Sequence, residues 1–139
     1  MSSGDRWAVD TSVAVAALDA GHSAHAFCRE AVQRHRPVLA GHAAFETFSV
    51  LTRMPGSLSV DPLDAAALMD RVFPEVVWLA PNDAQALRSK LPTVGISGGA
   101  VYDALVGHAA LSNGRRLLTR DLRARRTYDL LGVDYSLMG

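Results

Sequence analysis

Five short apolar runs alternate with helical stretches along the whole chain, and this alternation restricts the fold more than any other feature. The runs are Arg6 to Val9, Pro37 to Ala40, Val76 to Ala80, Arg116 to Thr119 and Val133 to Tyr135. Each is too short for a buried helix and has the length of a strand covered on both faces. Between them, helical patterns run over Thr11 to Leu18, His22 to Arg34, Gly41 to Arg53, Asp61-Pro62 to about Phe73, Ala100 to Ser112 and Leu122 to Leu131. A further helix opens at Pro81-Asn82-Asp83 and gives way to a loop over Pro92 to Gly99. Met54-Pro55-Gly56-Ser57, Asn113-Gly114 and Gly132 are stop signals, and Asp61-Pro62 is a start signal with Asp at the cap and Pro in the first turn. Strands alternating with helices through short loops require right-handed crossovers. The expected fold is therefore α/β, a mostly parallel sheet of about five strands with helices on both faces, as one domain over residues 1–139. In such sheets chemistry collects outside the carboxyl ends of the strands.

Size and composition fit that expectation. A chain of 139 residues, 49% of them apolar, buries somewhat under about 70% of its unfolded surface and needs neither disulfide nor metal to fold. Cys28 is the lone cysteine, and Asp5, Arg6 and Asp10 interrupt any apolar core of a signal peptide, so a reducing, cytoplasmic setting is expected. No apolar run approaches the roughly 18 residues of a membrane span. Fourteen basic residues, all Arg except Lys90, balance 14 acidic ones. The zero is uneven: residues 115–126 carry six Arg and one Asp, leaving 8 basic against 13 acidic elsewhere. Bulk positive charge is excluded as a means of holding nucleic acid, whereas a local basic patch is not.

Four carboxylates stand out. Asp10 follows the first strand and Asp121 the fourth, so both project at the functional edge, although each is also a natural helix cap. Asp103 shares a helix face with Gly99, Ala100, Val106 and Gly107, which turns it toward the body of the protein, in a first turn that tolerates negative charge. Glu46 lies among Phe45, Phe48 and Val50, where it is either an ordinary solvated side chain or an anion needing a partner. Two unit charges about 5 Å apart repel by roughly 3 kcal/mol at an effective dielectric near 20, so convergence of all four calls for a divalent cation. Hard oxygen donors suit Mg²⁺ or Mn²⁺, the ions used for phosphodiester hydrolysis.

Asp10-Thr11-Ser12, Glu46, the stretch Gly98 to Leu105 around Asp103, and Leu118-Thr119-Arg120-Asp121 resemble the motifs of PIN-domain ribonucleases, in order and over nearly the whole chain. The later stretch Arg126 to Val133 is similar to the ending of the VapC toxins in that family. The resemblance implies a PIN fold and a Mg²⁺- or Mn²⁺-dependent endoribonuclease cutting single-stranded loops of structured RNA of the tRNA or rRNA class. It also implies a homodimer and a cognate VapB-like antitoxin. Asp10, Glu46, Asp103 and Asp121 match the metal-binding acids, Thr11 or Ser12 would steady Asp10, and Thr119 would hold a water or Asp121. Where many relatives carry a further acid this chain has Arg123, which favours one firmly held ion. Arg116, Arg120 and Arg123 are candidates for RNA phosphate contacts, against a solvated surface as the alternative.

Two other functions are compatible with these residues: a catalytically silent PIN-like module acting through its antitoxin complex, and an aspartate-nucleophile phosphatase, which Ser12 disfavours because a second Asp is usual there. His22, His25 and Cys28 have a zinc-like spacing but occupy different helix faces. His42 and His108 are potential general bases, and Gly95 to Gly99 lacks the Lys of a phosphate loop. Phe27, Ala31, Met69, Val72 and Phe73 form either a partner groove or core.

Overall fold

The structure, a computed structural model, describes residues 6–55 and 59–139. Five strands form one parallel sheet: β1 (Trp7–Val9), β2 (Val38–Ala40), β3 (Val76–Val77), β4 (Arg116–Thr119) and β5 (Tyr135–Leu137), in the order β3-β2-β1-β4-β5. Val9 pairs with Leu39 on one side and Leu118 on the other, so β1 is central and fully buried. The helices are α1 (Thr11–Leu18), α2 (His25–His35), α3 (Ala43–Arg53), α4 (Pro62–Val72), α5 (Pro81–Val94), α6 (Ala100–Ser112) and α7 (Arg125–Leu131). From β1 the chain steps outward to β2 and β3 through α1–α4, then returns past β1 to β4 and β5 through α5–α7. Right-handed crossovers in opposite directions put these two sets of helices on opposite faces. Helices α1–α4 pack on one another, as do α5, α6 and α7. The crevice between β1 and β4 is thus the topological switch point.

The α/β class, the parallel sheet and the ranges of α1, α6 and β4 match the sequence expectation. The departures have local causes. The expected strand Val76 to Ala80 is only Val76–Val77, because it is an edge strand paired to β2 alone, after which Trp78 turns to solvent. Helix α5 runs through Pro92 to Val94, not stopping where a loop was expected: a proline in the last turns removes a single backbone bond. The stop comes at Gly95, in a left-handed conformation, with Ile96 N–H bonded to Leu91 O. The same device ends α7: Gly132 is left-handed and Val133 N–H bonds Tyr128 O, which commits Val133 to the helix end and starts β5 at Tyr135. Residues 22–24 form a turn in place of the first turn of α2, with His22 Nδ1 accepting from Ala24 N–H. Helix α3 begins at Ala43 because Gly41 turns with φ +48° against Ala109 of α6. A short 3-10 turn, Leu122–Ala124, precedes α7. Helix α3 ends at Arg53 as Met54-Pro55 require, whereas Gly56 and Ser57 of that stop lie outside the described residues.

Val9, Val13, Leu39, Leu51, Leu87, Val106, Leu117 and Tyr128 are the large fully buried side chains. Ala31, Met69 and Phe73 belong to this buried set, while Phe27 is exposed, so most of the apolar excess on α2 and α4 is core. Among the described residues no helix is long and apolar enough to cross a membrane.

Gly107 on α6 leaves the space into which Tyr128 packs: a Cβ there would lie 2.8 Å from Tyr128 Cδ1 and 3.0 Å from Val133 Cγ2. Gly to Ala in a helix ordinarily stabilises by about 1 kcal/mol. Here overpacking against a fixed ring reverses the sign, and Gly107→Ala is expected to destabilise by about 1–3 kcal/mol in urea unfolding. A stabilised variant would contradict this packing.

Candidate active site

Asp10 leaves the end of β1 with its N–H bonded to Leu118 O of β4 and its side chain buried, only 4% exposed. Its Oδ1 accepts from Ser12 Oγ at 2.6 Å and from Val13 N–H at 3.3 Å; its Oδ2 accepts from Thr119 Oγ1 at 2.5 Å and Tyr128 OH at 2.9 Å. Burial pushes the Asp10 pKa up, and the donors from Ser12, Thr119, Tyr128 and Val13 pull it back. The same carboxylate therefore caps α1 and ties together β1, β4 and α7. Ser12, not Thr11, steadies Asp10, and Ser12 Oγ in turn accepts from Arg120 N–H at 2.8 Å. Thr11 Oγ1 donates instead to Glu46 Oε1 at 3.1 Å. Thr119 touches Asp121 as well as Asp10: its Oγ1 accepts from Asp121 N–H at 3.1 Å.

All four carboxylates line one cleft of about 530 Å³ at the carboxyl edge of the sheet, with Thr11, Ser12, His42, Phe45, Arg53 and Tyr128 among its other walls. Asp121 accepts from Arg123 N–H at 2.9 Å and so caps the following turn while facing the cleft. Asp103 is half-buried and, among the described residues, accepts no hydrogen bond. Its pKa is pushed up to about 6, first by burial, then by the charges of Asp121, Glu46 and Asp10, with Arg123 pulling the other way. Among the described residues no three His, Cys, Asp or Glu side chains are already closed around a point that could hold a metal ion. Four mutually repelling anions have no reason to close without a cation between them. The donor set nonetheless fits a hard divalent cation: carboxylate oxygens from four elements, an excess of negative charge, and one carboxyl with no protein donor.

The arginines divide. Arg123 lies at the rim, its Nε 3.9 Å from Asp121 Oδ1. Arg116 begins β4, at the opposite end of the strand from Asp121; its guanidinium lies 4.6 Å from the Trp7 ring centroid and its Nε donates to Asp134 Oδ1 at 3.2 Å. Its position corrects the expectation of a shared rim, because the first residue of a parallel strand sits at the amino edge. Arg120 does not line the cleft either, and its Nε is buried. Arg53, at the end of α3, does line it and was not anticipated from the sequence. Neither was Tyr128, whose burial pushes its hydroxyl pKa upward, as do the charge and hydrogen bond of Asp10, keeping it a proton donor. The zinc-like spacing dissolves: His22 closes a turn, His25 Nδ1 lies 2.9 Å from Ala16 O, and Cys28 is buried and unpaired. Burial lowers the His108 pKa, and its Nδ1 is buried without a partner among the described residues. His42 is on the cleft wall.

A parallel sheet with carboxylates gathered at its switch point defines a class, and comparison with known proteins identifies it. The chain belongs to the PIN domain family, whose profile matches residues 8–130. Its relatives include Ribonuclease VapC27 of Mycobacterium tuberculosis, 44% identical over 126 residues and covering 91% of this chain and 92% of that protein. Ribonuclease VapC40 of the same organism is 41% identical over 132 residues, covering 94% and 98%. Among solved structures, the fold is similar to that in the crystal structure of VapBC2 from Rickettsia felis bound to a DNA fragment from its promoter (TM-score 0.65, 12% identity, 96% of this chain and 98% of that one). It is also similar to PAE2754 from Pyrobaculum aerophilum (TM-score 0.57, 19% identity, 96% and 90%).

The raised Asp103 pKa makes the metal-free protein pH-sensitive. The folded state holds the Asp103 proton up to about pH 6 and the unfolded chain releases it near 3.8, so this group costs stability progressively as pH rises from about 4 to about 6. Asp103→Asn is expected to raise the Tm of the metal-free protein by a few degrees at about pH 8 and by little at about pH 4.5. An equal effect at both pH values would show that the four acids do not repel.

Proposed function

We propose that the chain is the ribonuclease toxin of a VapBC pair, hydrolysing phosphodiester bonds in single-stranded regions of structured RNA with Mg²⁺ or Mn²⁺ and restrained by a VapB-like antitoxin. The observation that carries the reading is Asp103, half-buried, without a hydrogen-bond donor among the described residues, and facing three other carboxylates. The relatives' names support the activity, and the VapBC2 structure supports the kind of partner. A homodimer and a cytoplasmic setting belong to the same proposal.

When bound, the divalent cation supplies neutralisation of phosphate charge and a more acidic water. Asp103, Glu46 and Asp121 would hold it together with Asp10. Ser12, Thr119, Tyr128 and Val13 N–H keep Asp10 in one orientation, and Thr11 orients Glu46. Each acid is thereby placed before substrate arrives, so little reorganisation remains for the reaction. Arg123 and Arg53 present guanidinium groups at the rim and cleft wall, suited to phosphate oxygens.

Purified protein is expected to cut single-stranded RNA with Mg²⁺ or Mn²⁺ and to stop on chelation. Asp103→Asn is expected to lower the rate about 100-fold or more, the scale of losing one charge-stabilising group. Thr119→Val, which only loosens Asp10, is expected to lower it about 10-fold. Metal-independent cleavage, or full activity in Asp103→Asn, would contradict the reading; no cleavage with any RNA would favour the silent module.

A further inference from the structure

Four aromatic rings run in a ladder along one lip of the acidic cleft. Tyr102 and His42 are stacked, with centroids 5.2 Å apart and 20° between planes. Phe45 follows His42 at 6.2 Å, and Trp78 follows Phe45 at 5.6 Å, both tilted by about 50°. Three of the rings are strongly exposed: Phe45 63%, Trp78 51% and Tyr102 51%. They come from three separate elements, α3, α6 and the end of β3. Trp78 has its backbone held, its carbonyl accepting from Asn113 Nδ2 at 3.1 Å, while that amide also bonds Ala109 O at 2.7 Å.

The ladder is continuous with the catalytic cleft. His42 and Phe45 line it, Phe45 immediately precedes Glu46, and Tyr102 immediately precedes Asp103. Each acid that would face a phosphate thus has a ring beside it on the same helix. Exposed π faces beside a phosphate-handling centre are what unpaired nucleobases stack on, and such stacking tolerates any base. A second copy of the chain fits less well. Four half-exposed rings offer roughly 400 Å², about half of what a stable protein partner covers, and they form a strip one ring wide.

We propose that Tyr102, His42, Phe45 and Trp78 form a base-stacking platform that holds the unpaired bases flanking the scissile phosphate and so selects single-stranded over paired RNA. This rests on the ribonuclease reading of the cleft. Duplex bases present edges and not faces, and cannot use the lip without unstacking.

Trp78 reports on its own occupancy, because the other tryptophan, Trp7, is buried beneath Arg116. With Ca²⁺ replacing Mg²⁺ to slow turnover, a single-stranded RNA of about ten nucleotides is expected to quench Trp78 fluorescence, and an abasic strand of the same length and charge is not. Phe45→Leu and Trp78→Leu are expected to weaken RNA binding about 5- to 30-fold and to leave abasic-strand binding unchanged, with the loss in cleavage falling on KM more than on kcat. Thermal unfolding of both variants checks that they fold. If RNA and abasic strand bind alike, or the ring variants bind RNA as the parent does while cleavage persists, the platform is wrong and the ribonuclease reading stands. If the variants instead dissociate a dimer in equilibrium sedimentation without changing RNA affinity, the lip is a self-association face and the proposal is overturned. Quenching and stacking without cleavage of any RNA would overturn the ribonuclease reading alone.

Discussion

A carboxylate buried at the end of the central strand is the feature around which the rest of the molecule is arranged. Burying an anion is unfavourable by several kcal/mol unless donors replace water. Asp10 receives four, from Ser12 and Val13 on α1, Thr119 on β4 and Tyr128 on α7. Satisfying one side chain therefore fixes the relative positions of β1, α1, β4 and α7, and Gly107 on α6 is the small residue that lets the Tyr128 ring reach it. Thr119 and Ser12 pass the restraint on through the N–H groups of Asp121 and Arg120. The fold and the geometry of the cleft are thus built from one set of bonds.

Electrostatics pulls the other way. Asp103, Glu46 and Asp121 join Asp10 in the cleft, and their mutual repulsion is visible in the raised Asp103 pKa of about 6. The arrangement is unfavourable for folding and favourable for holding a cation, a common bargain at functional sites. Helix caps reconcile part of the conflict: Asp10 and Asp121 each accept a backbone N–H at the start of the next turn, so local and functional roles coincide.

Much of this was legible because position in an α/β chain carries meaning. Asp10 and Asp121 follow strands, and Glu46 and Asp103 sit on helices that return to the same edge. Their convergence follows from topology, and caps and glycine stops made α1, α4, α6 and β4 readable. Tyr128 was not readable: on a helix it looks like ordinary core, and its hydroxyl partner lies 118 residues away. Trp78 misled in the opposite sense. Its apolar character lengthened the apparent third strand, whereas the ring faces outward. The basic segment was legible as charge but not as direction. Arg116 starts its strand and Arg123 follows its end, a distinction that strand polarity supplies once the pairing is known.

The central claim is that four carboxylates at the switch point act as one coupled site for a divalent cation. Titration calorimetry with Mn²⁺, repeated in buffers of different ionisation enthalpy, measures the protons released on binding. At about pH 5.5 binding should release close to one proton, because Asp103 must ionise to ligate, and at about pH 8 almost none. The absence of Mn²⁺ binding, or the same proton release at both pH values, would contradict the account.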